Sequence, residues 1–176
     1  LLYAERYPHS VRKLILLTHW LSGYDDSAEW NRFIEECRGN PVYENAIACI
    51  EGPTPDSQAE WYQYMLNEIP FYVADPPRHF PIFADAMGEP SRWTYKAQKA
   101  SNNKKGITVY SDLDKVQGKT LCLGCEEDPV CSAKVTGITH DGIASSELAV
   151  IDDCGHFPWI EKPVQFFAEV VRFFKD

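Results

Sequence analysis

Residues 120–163, TLCLGCEEDPVCSAKVTGITHDGIASSELAVIDDCGHFPWIEKP, decide the fold. The stretch opens on a continuous apolar run, TLCLGC at 120–125, and returns to a strand-like run, ELAVID, at 147–152. Runs of this kind mark strands of a parallel sheet covered on both faces. Residues 132–140 between them read as a weak helix, the crossover that parallel neighbours require. Beyond the stretch, residues 163–174 read as an amphipathic helix with Val164, Phe167, Val170, Val171 and Phe174 on one face.

A third buried strand is legible further out, KLILLT at 13–18. Ahead of it, residues 1–7 are apolar at positions 1, 2, 4 and 7 and stop at Pro8, which reads as the end of a helix whose start is missing. From His19 to Gly106 the pattern turns helical. Asp26 or Ser27 can cap a helix that Gly39 stops, and Asn40-Pro41 opens a second, ended by Gly52. Asp56 or Ser57 opens a third that ends before Pro70, and shorter helical stretches follow at 81–87 and 90–101. This middle part is rich in aromatics, among them Trp30, Trp61, Tyr72, Phe83 and Trp93. The alternation predicts an α/β parallel sheet with an inserted all-helical cap: a core from residues 1–18 and 107–176, and a cap from 19–106.

The chain has 176 residues, 44% hydrophobic and 24% charged, which is globular composition. Its net charge is −9, and no basic run is longer than Lys104-Lys105. Nucleic acid is therefore not an expected partner, because phosphate binding needs a basic patch. No apolar run approaches the roughly 20 residues of a membrane span. The expected partner is a small neutral or cationic molecule. The sequence begins with Leu1, has only Met65 and Met87 as methionines, and residues 1–8 do not read as a signal peptide, so it reads as a piece of a longer protein.

Six cysteines are present: Cys37, Cys49, Cys122, Cys125, Cys131 and Cys154. A core of this size does not need disulfides. The Cys122-Leu-Gly-Cys125 spacing lies on a strand-like run, whereas a redox CxxC belongs at a helix N-terminus. No second CxxC completes a zinc site. Buried thiols in a reducing, cytoplasmic setting are the expectation, with no metal and no cofactor.

The chemistry of an open parallel sheet sits beyond the carboxyl ends of its strands. Two such ends carry candidate groups: Glu126-Glu127-Asp128-Pro129 after the 120–125 run, and Asp153-Cys154-Gly155-His156-Phe157-Pro158 after the 147–152 run. An acid and a histidine at consecutive strand ends lie close together. A carboxylate on one imidazole nitrogen fixes the tautomer and frees the other nitrogen as a general base.

With these motifs the sequence resembles the α/β-hydrolase family. LYAERYP at 2–8 with Val11 and the strand at 14–17 is similar to the helix after the family's nucleophile elbow and the strand that follows it. Residues 120–131 resemble the strand and loop that carry the acid. GHFPWIEKP at 155–163 resembles the family's histidine loop and last helix. The resemblance implies Asp128 as the acid and His156 as the base of a Ser-His-Asp triad. Glu127 is the alternative acid, because the family often has glycine three residues before the acid and here Gly124 stands one earlier.

The family's nucleophile stands in G-x-S-x-G on a strand-to-helix turn. No serine here has glycine on both sides at that spacing. The resemblance places the elbow upstream of Leu1, in a missing amino-terminal half, so the chain alone is expected to be inactive. The helical cap and FYVADP at 71–76 are similar to proline iminopeptidase relatives, in which cap acids hold the substrate's amino terminus. Glu51, Glu60, Glu68 and Asp75 are the acids available, and the implied substrate is a small amide, ester or short peptide. Ester, epoxide and haloalkane hydrolases share the layout and differ at the nucleophile. The reading from another class is a catalytically inactive fragment or a ligand-binding cap.

Overall fold

The computed structural model describes residues 1–102 and 108–175. The expected boundary at 106/107 and the Lys104-Lys105 pair lie outside these residues. In chain order the elements are α1 (Leu2–Arg6), β1 (Lys13–Leu17), α2 (Ser27–Cys37), α3 (Glu44–Glu51), α4 (Gln58–Glu68), α5 (Pro76–Ala86) and α6 (Arg92–Asn102). Then follow β2 (Lys119–Cys125), α7 (Ala133–Gly142), β3 (Ser146–Ile151), α8 (Pro158–Glu161) and α9 (Pro163–Lys175).

The sheet among the described residues has three parallel strands in the order β1-β2-β3. Lys13 faces Lys119 in register, and Thr120 faces Ser146. Every residue of β2 after Lys119 is buried, as its unbroken apolar run requires. In β1, by contrast, only Leu16 is fully buried, because the strand pairs on one side alone.

Side-chain alternation divides the core. Cys122 joins Ala4, Leu16, Leu113, Val135 and Ile143 under α1 and α7. Leu121, Leu123 and Cys125 join Ile151, Cys154, Phe166 and Phe173 under α9. Cys122 and Cys125 are thus on opposite faces of one strand, an odd number of residues apart, and cannot share a ligand. Gly124 is required by close packing: a Cβ there would sit 2.5 Å from Thr136 Oγ1 in α7.

The helices between β1 and β2 start where local chemistry allows. Ser57 accepts from Glu60 N–H at 3.2 Å and donates to Glu60 Oε2 at 2.7 Å, an N-cap that opens α4. Asn40 caps a short 3-10 turn at Pro41–Tyr43 that leads into α3. Helix α5 begins five residues before the expected 81–87 stretch: Asp75 accepts from Arg78 N–H, and Pro76 stands in the first turn, where its missing N–H costs nothing. A third core cluster, Ile34, Cys37, Ala46 and Phe71, joins α2, α3 and the turn that follows α4.

Helix α9 differs from expectation in the face it buries. Phe166 and Phe173 are in the core, while Val164, Phe167, Val171 and Phe174 are exposed, Val164 at 83%. The helix is apolar on two faces, and the sheet takes the one centred on Phe166, Val170 and Phe173.

Candidate active site

Because Cys125 and Ile151 are register partners, the loops that leave β2 and β3 emerge side by side. The backbone ties them at once: Glu126 N–H donates to Ile151 O and Glu127 N–H to Cys154 O. Asp128 turns inward and is 3% exposed. Its Oδ1 accepts from Val130 N–H at 2.9 Å and Cys131 N–H at 3.0 Å, a local turn that leaves Oδ2 aimed across the gap. His156 Nδ1–H donates to Oδ2 at 2.8 Å. Glu127, the alternative acid, is exposed on the surface. His156 Nε2 has no hydrogen bond among the described residues, and the ring is 19% exposed.

Aromatic side chains from both parts wall the imidazole. Tyr72 meets its ring edge-on at 5.6 Å between centroids, and Phe157 at 5.1 Å. Phe83 of α5 stacks on Phe157 at 4.3 Å. Burial holds the Tyr72 phenol far above its ordinary range, with Glu68 and Asp128 adding to the effect, so it stays neutral. Beside Tyr72 opens a cavity of about 450 Å³ lined by Trp20, Tyr24, Trp30, Val130 and Cys131. Another cavity, of about 400 Å³ at Cys37–Pro41, shares no residue with the site.

His19, which sequence reading passed over, lines the larger cavity. Thr139 Oγ1 donates to Val135 O at 2.9 Å, so its oxygen accepts from His19 Nε2–H at 2.8 Å. The ring is then neutral with Nδ1 as a lone pair, and that atom is buried without a partner. Burial lowers its pKa from 6.5 to about 4. The unfolded chain therefore binds the proton first. The stability this group contributes is whole above pH 6.5 and lost as pH falls through 4, at most about 3 kcal/mol. Urea unfolding at pH 7 and pH 4.5 should show wild type losing up to that much more than His19→Gln. Equal losses would remove His19 from the acid response.

The four cap acids are placed differently from one another. Glu51 is exposed and paired with Arg38 at 2.6 Å, Glu60 is taken up by the Ser57 hydroxyl, and Asp75 by the α5 cap. Glu68 alone of the four is half-buried; burial raises its pKa, and the neighbouring Tyr64 hydroxyl offsets part of that rise. The thiols are poor nucleophiles where they stand. Burial, with Asp128 adding to it, pushes Cys131 up to about 12. The Cys125 thiol is raised by its hydrogen bond with Cys154 and by burial. Among the described residues no three metal-ligating side chains converge, and no helix is long and apolar enough to cross a membrane.

No family model matches the chain. Human monoacylglycerol lipase ABHD6 is 21% identical over 173 residues, covering 92% of this chain and 47% of that protein. A thermophilic esterase from Thermogutta terrifontis superposes with a TM-score of 0.68 at 19% identity, over 98% of this chain and 59% of that one. The enol-lactonase from Burkholderia xenovorans LB400 gives 0.68 at 12% identity, over 99% and 60%. The chain thus spans about half the length of the curated relative it matches. Three parallel strands, their helical cover and these superpositions agree: the chain has the α/β-hydrolase fold.

Proposed function

We propose that this chain is the carboxyl-terminal portion of a hydrolase of small carboxylic esters or amides, and that Asp128 and His156 are its triad acid and base. The observation that carries the reading is the 2.8 Å bond from His156 Nδ1–H to a buried Asp128, which leaves Nε2 free. Nε2 takes the proton of a serine hydroxyl as that oxygen attacks the substrate carbonyl. Asp128 stabilises the imidazolium formed, and Nε2 then protonates the leaving group. Water repeats the sequence on the acyl-enzyme. The nucleophile and the oxyanion donors stand on a segment outside these 176 residues, so the chain alone has no turnover. An ester substrate is supported by the names of the similar proteins, a lipase, an esterase and a lactonase.

One observation favours a second, narrower reading, the iminopeptidase-like one. Glu68 lies close enough to Tyr64 and Tyr72 to raise both phenols, and an arriving ammonium would compensate its half-buried charge. The full-length protein assayed on an aryl ester and a prolyl aryl-amide separates the two. Ester turnover untouched by Glu68→Gln supports the first. Amide turnover with KM raised at least tenfold by Glu68→Gln supports the second. No turnover on either substrate class leaves the inactive or ligand-binding reading.

A further inference from the structure

Glu161, at the end of the short helix α8, is a carboxylate with no side-chain exposure, yet among the described residues it has one titratable group within ion-pair distance. That group is His79 of α5, itself buried, with Nδ1 3.5 Å from Oε2. The firm partners are backbone. Oε1 accepts from Gly155 N–H at 3.1 Å and Phe157 N–H at 3.4 Å, the residues on either side of His156. Oε2 accepts from Ala74 N–H at 2.8 Å, a residue 87 positions away in the cap. The N–H of His156 itself donates to Tyr72 O at 2.7 Å. Three successive amides of the histidine loop are therefore held, two by one carboxylate and one by the cap.

The approach that makes this possible is close. A Cβ on Gly155 would lie 2.6 Å from Tyr72 O and 2.8 Å from Ala74 N, so only glycine lets the loop lie on residues 72–74. The carboxylate form matters as well. Its two oxygens accept from opposite sides, one from the loop and one from the cap. A glutamine of the same shape has a single acceptor oxygen, and its NH₂ would be turned against N–H donors on the other side. Burying a charge is costly unless hydrogen bonds satisfy it, and here backbone donors do so on both oxygens.

We propose that Glu161 is the positioning residue of the site: it sets the backbone of His156 against Asp128 and fixes the cap segment carrying Tyr72 to the same point. Its catalytic consequence rests on the hydrolase reading above, whereas its geometric consequence does not. Imidazole placement is steep in its effect, since a displacement of about 1 Å can cost on the order of 100-fold in rate.

The test uses the full-length protein with histidine-selective ¹⁵N labelling. In the wild type the His156 Nδ1–H proton, shielded by Asp128, should give a slowly exchanging downfield resonance. In Glu161→Gln, folded by circular dichroism, it should exchange at least tenfold faster, and kcat should fall about 100-fold with KM nearly unchanged. Glu161→Asp, which keeps the charge and shortens the reach, should fall between the two in both readouts, and it carries the test if the glutamine variant does not fold. A folded variant with lower melting temperature but wild-type Nδ1–H exchange overturns the proposal, because Glu161 is then merely structural. Faster exchange in a protein whose wild type turns over no substrate supports the positioning role and removes the hydrolase reading instead.

Discussion

On the proposed hydrolase reading, Asp128→Asn should lower kcat of the full-length protein by about 10⁴, with KM changed only a few-fold. The size follows from what the carboxylate does on each side. Oδ1 accepts two backbone N–H groups, from Val130 and Cys131, and Oδ2 accepts from His156. An asparagine has one acceptor oxygen. Two fixed backbone donors draw that oxygen to the Oδ1 position and turn the NH₂ toward the imidazole. Nδ1 must then accept, the ring proton moves to Nε2, and the nitrogen that should take the serine proton already carries one. The geometry survives while the tautomer is wrong, so the variant folds and binds but does not react. ¹⁵N shifts of the His156 ring nitrogens would show the exchange of roles. A kcat within tenfold of wild type would falsify the assignment of Asp128 as the triad acid.

The isolated 176-residue chain should associate at micromolar concentration and melt over a broad range. β1 bonds only to β2, so one row of N–H and C=O groups from Lys13 to Leu17 has no strand partner among the described residues. Natural edges are blunted by charge, proline or a covering element, and only Lys13 contributes a charge here. Helix α9 adds exposed apolar surface: Val164, Phe167, Val171 and Phe174 are exposed at 47% or more. Isolated apolar residues on a surface are ordinary, but a helix stripe of four is a contact face. Light scattering should report dimers or larger species, and Phe167→Glu with Val171→Glu should reduce them several-fold. Co-expression with the proposed amino-terminal half should give one soluble complex with a sharp transition. A monomeric chain at high concentration, unfolding cooperatively at high temperature, would mean that the edge is covered within the chain.

How much of this was legible in the sequence depends on how local the deciding interaction is. The strands at β2 and β3 and the order of acid and histidine are written in runs of neighbouring residues, and the structure places Asp128 on His156 within bonding distance. The start of α5 was missed because FYVADP was read as a motif, although Asp75 followed by two prolines is itself a helix-start signal. Helix α9 shows a different limit. Periodicity marks apolar faces, but two are present, and only the sheet decides between Phe166 with Phe173 and Val164 with Phe167. Glu161 stands five residues after His156 in the quoted motif, and that spacing was available as a signal. Its cap partner Ala74, 87 positions away, was not. Among the cap acids, Glu51, Glu60 and Asp75 could have been set aside from caps and pairs alone, which leaves Glu68.

The register of the sheet also sets an order of assembly. Thr120 meets Ser146, 26 positions away, with one helix between them. Lys13 meets Lys119 only across 106 positions, which hold α2 through α6. For a flexible chain, loop-closure entropy makes the second pairing costlier by about 1 kcal/mol. Non-local pairing of this kind is slow, because the entropy is lost before the contacts repay it. β2, α7 and β3 are therefore expected to form first, with the two loops that carry Asp128 and His156 already at their edge, and β1 to join once the intervening helices have shortened the distance it must close.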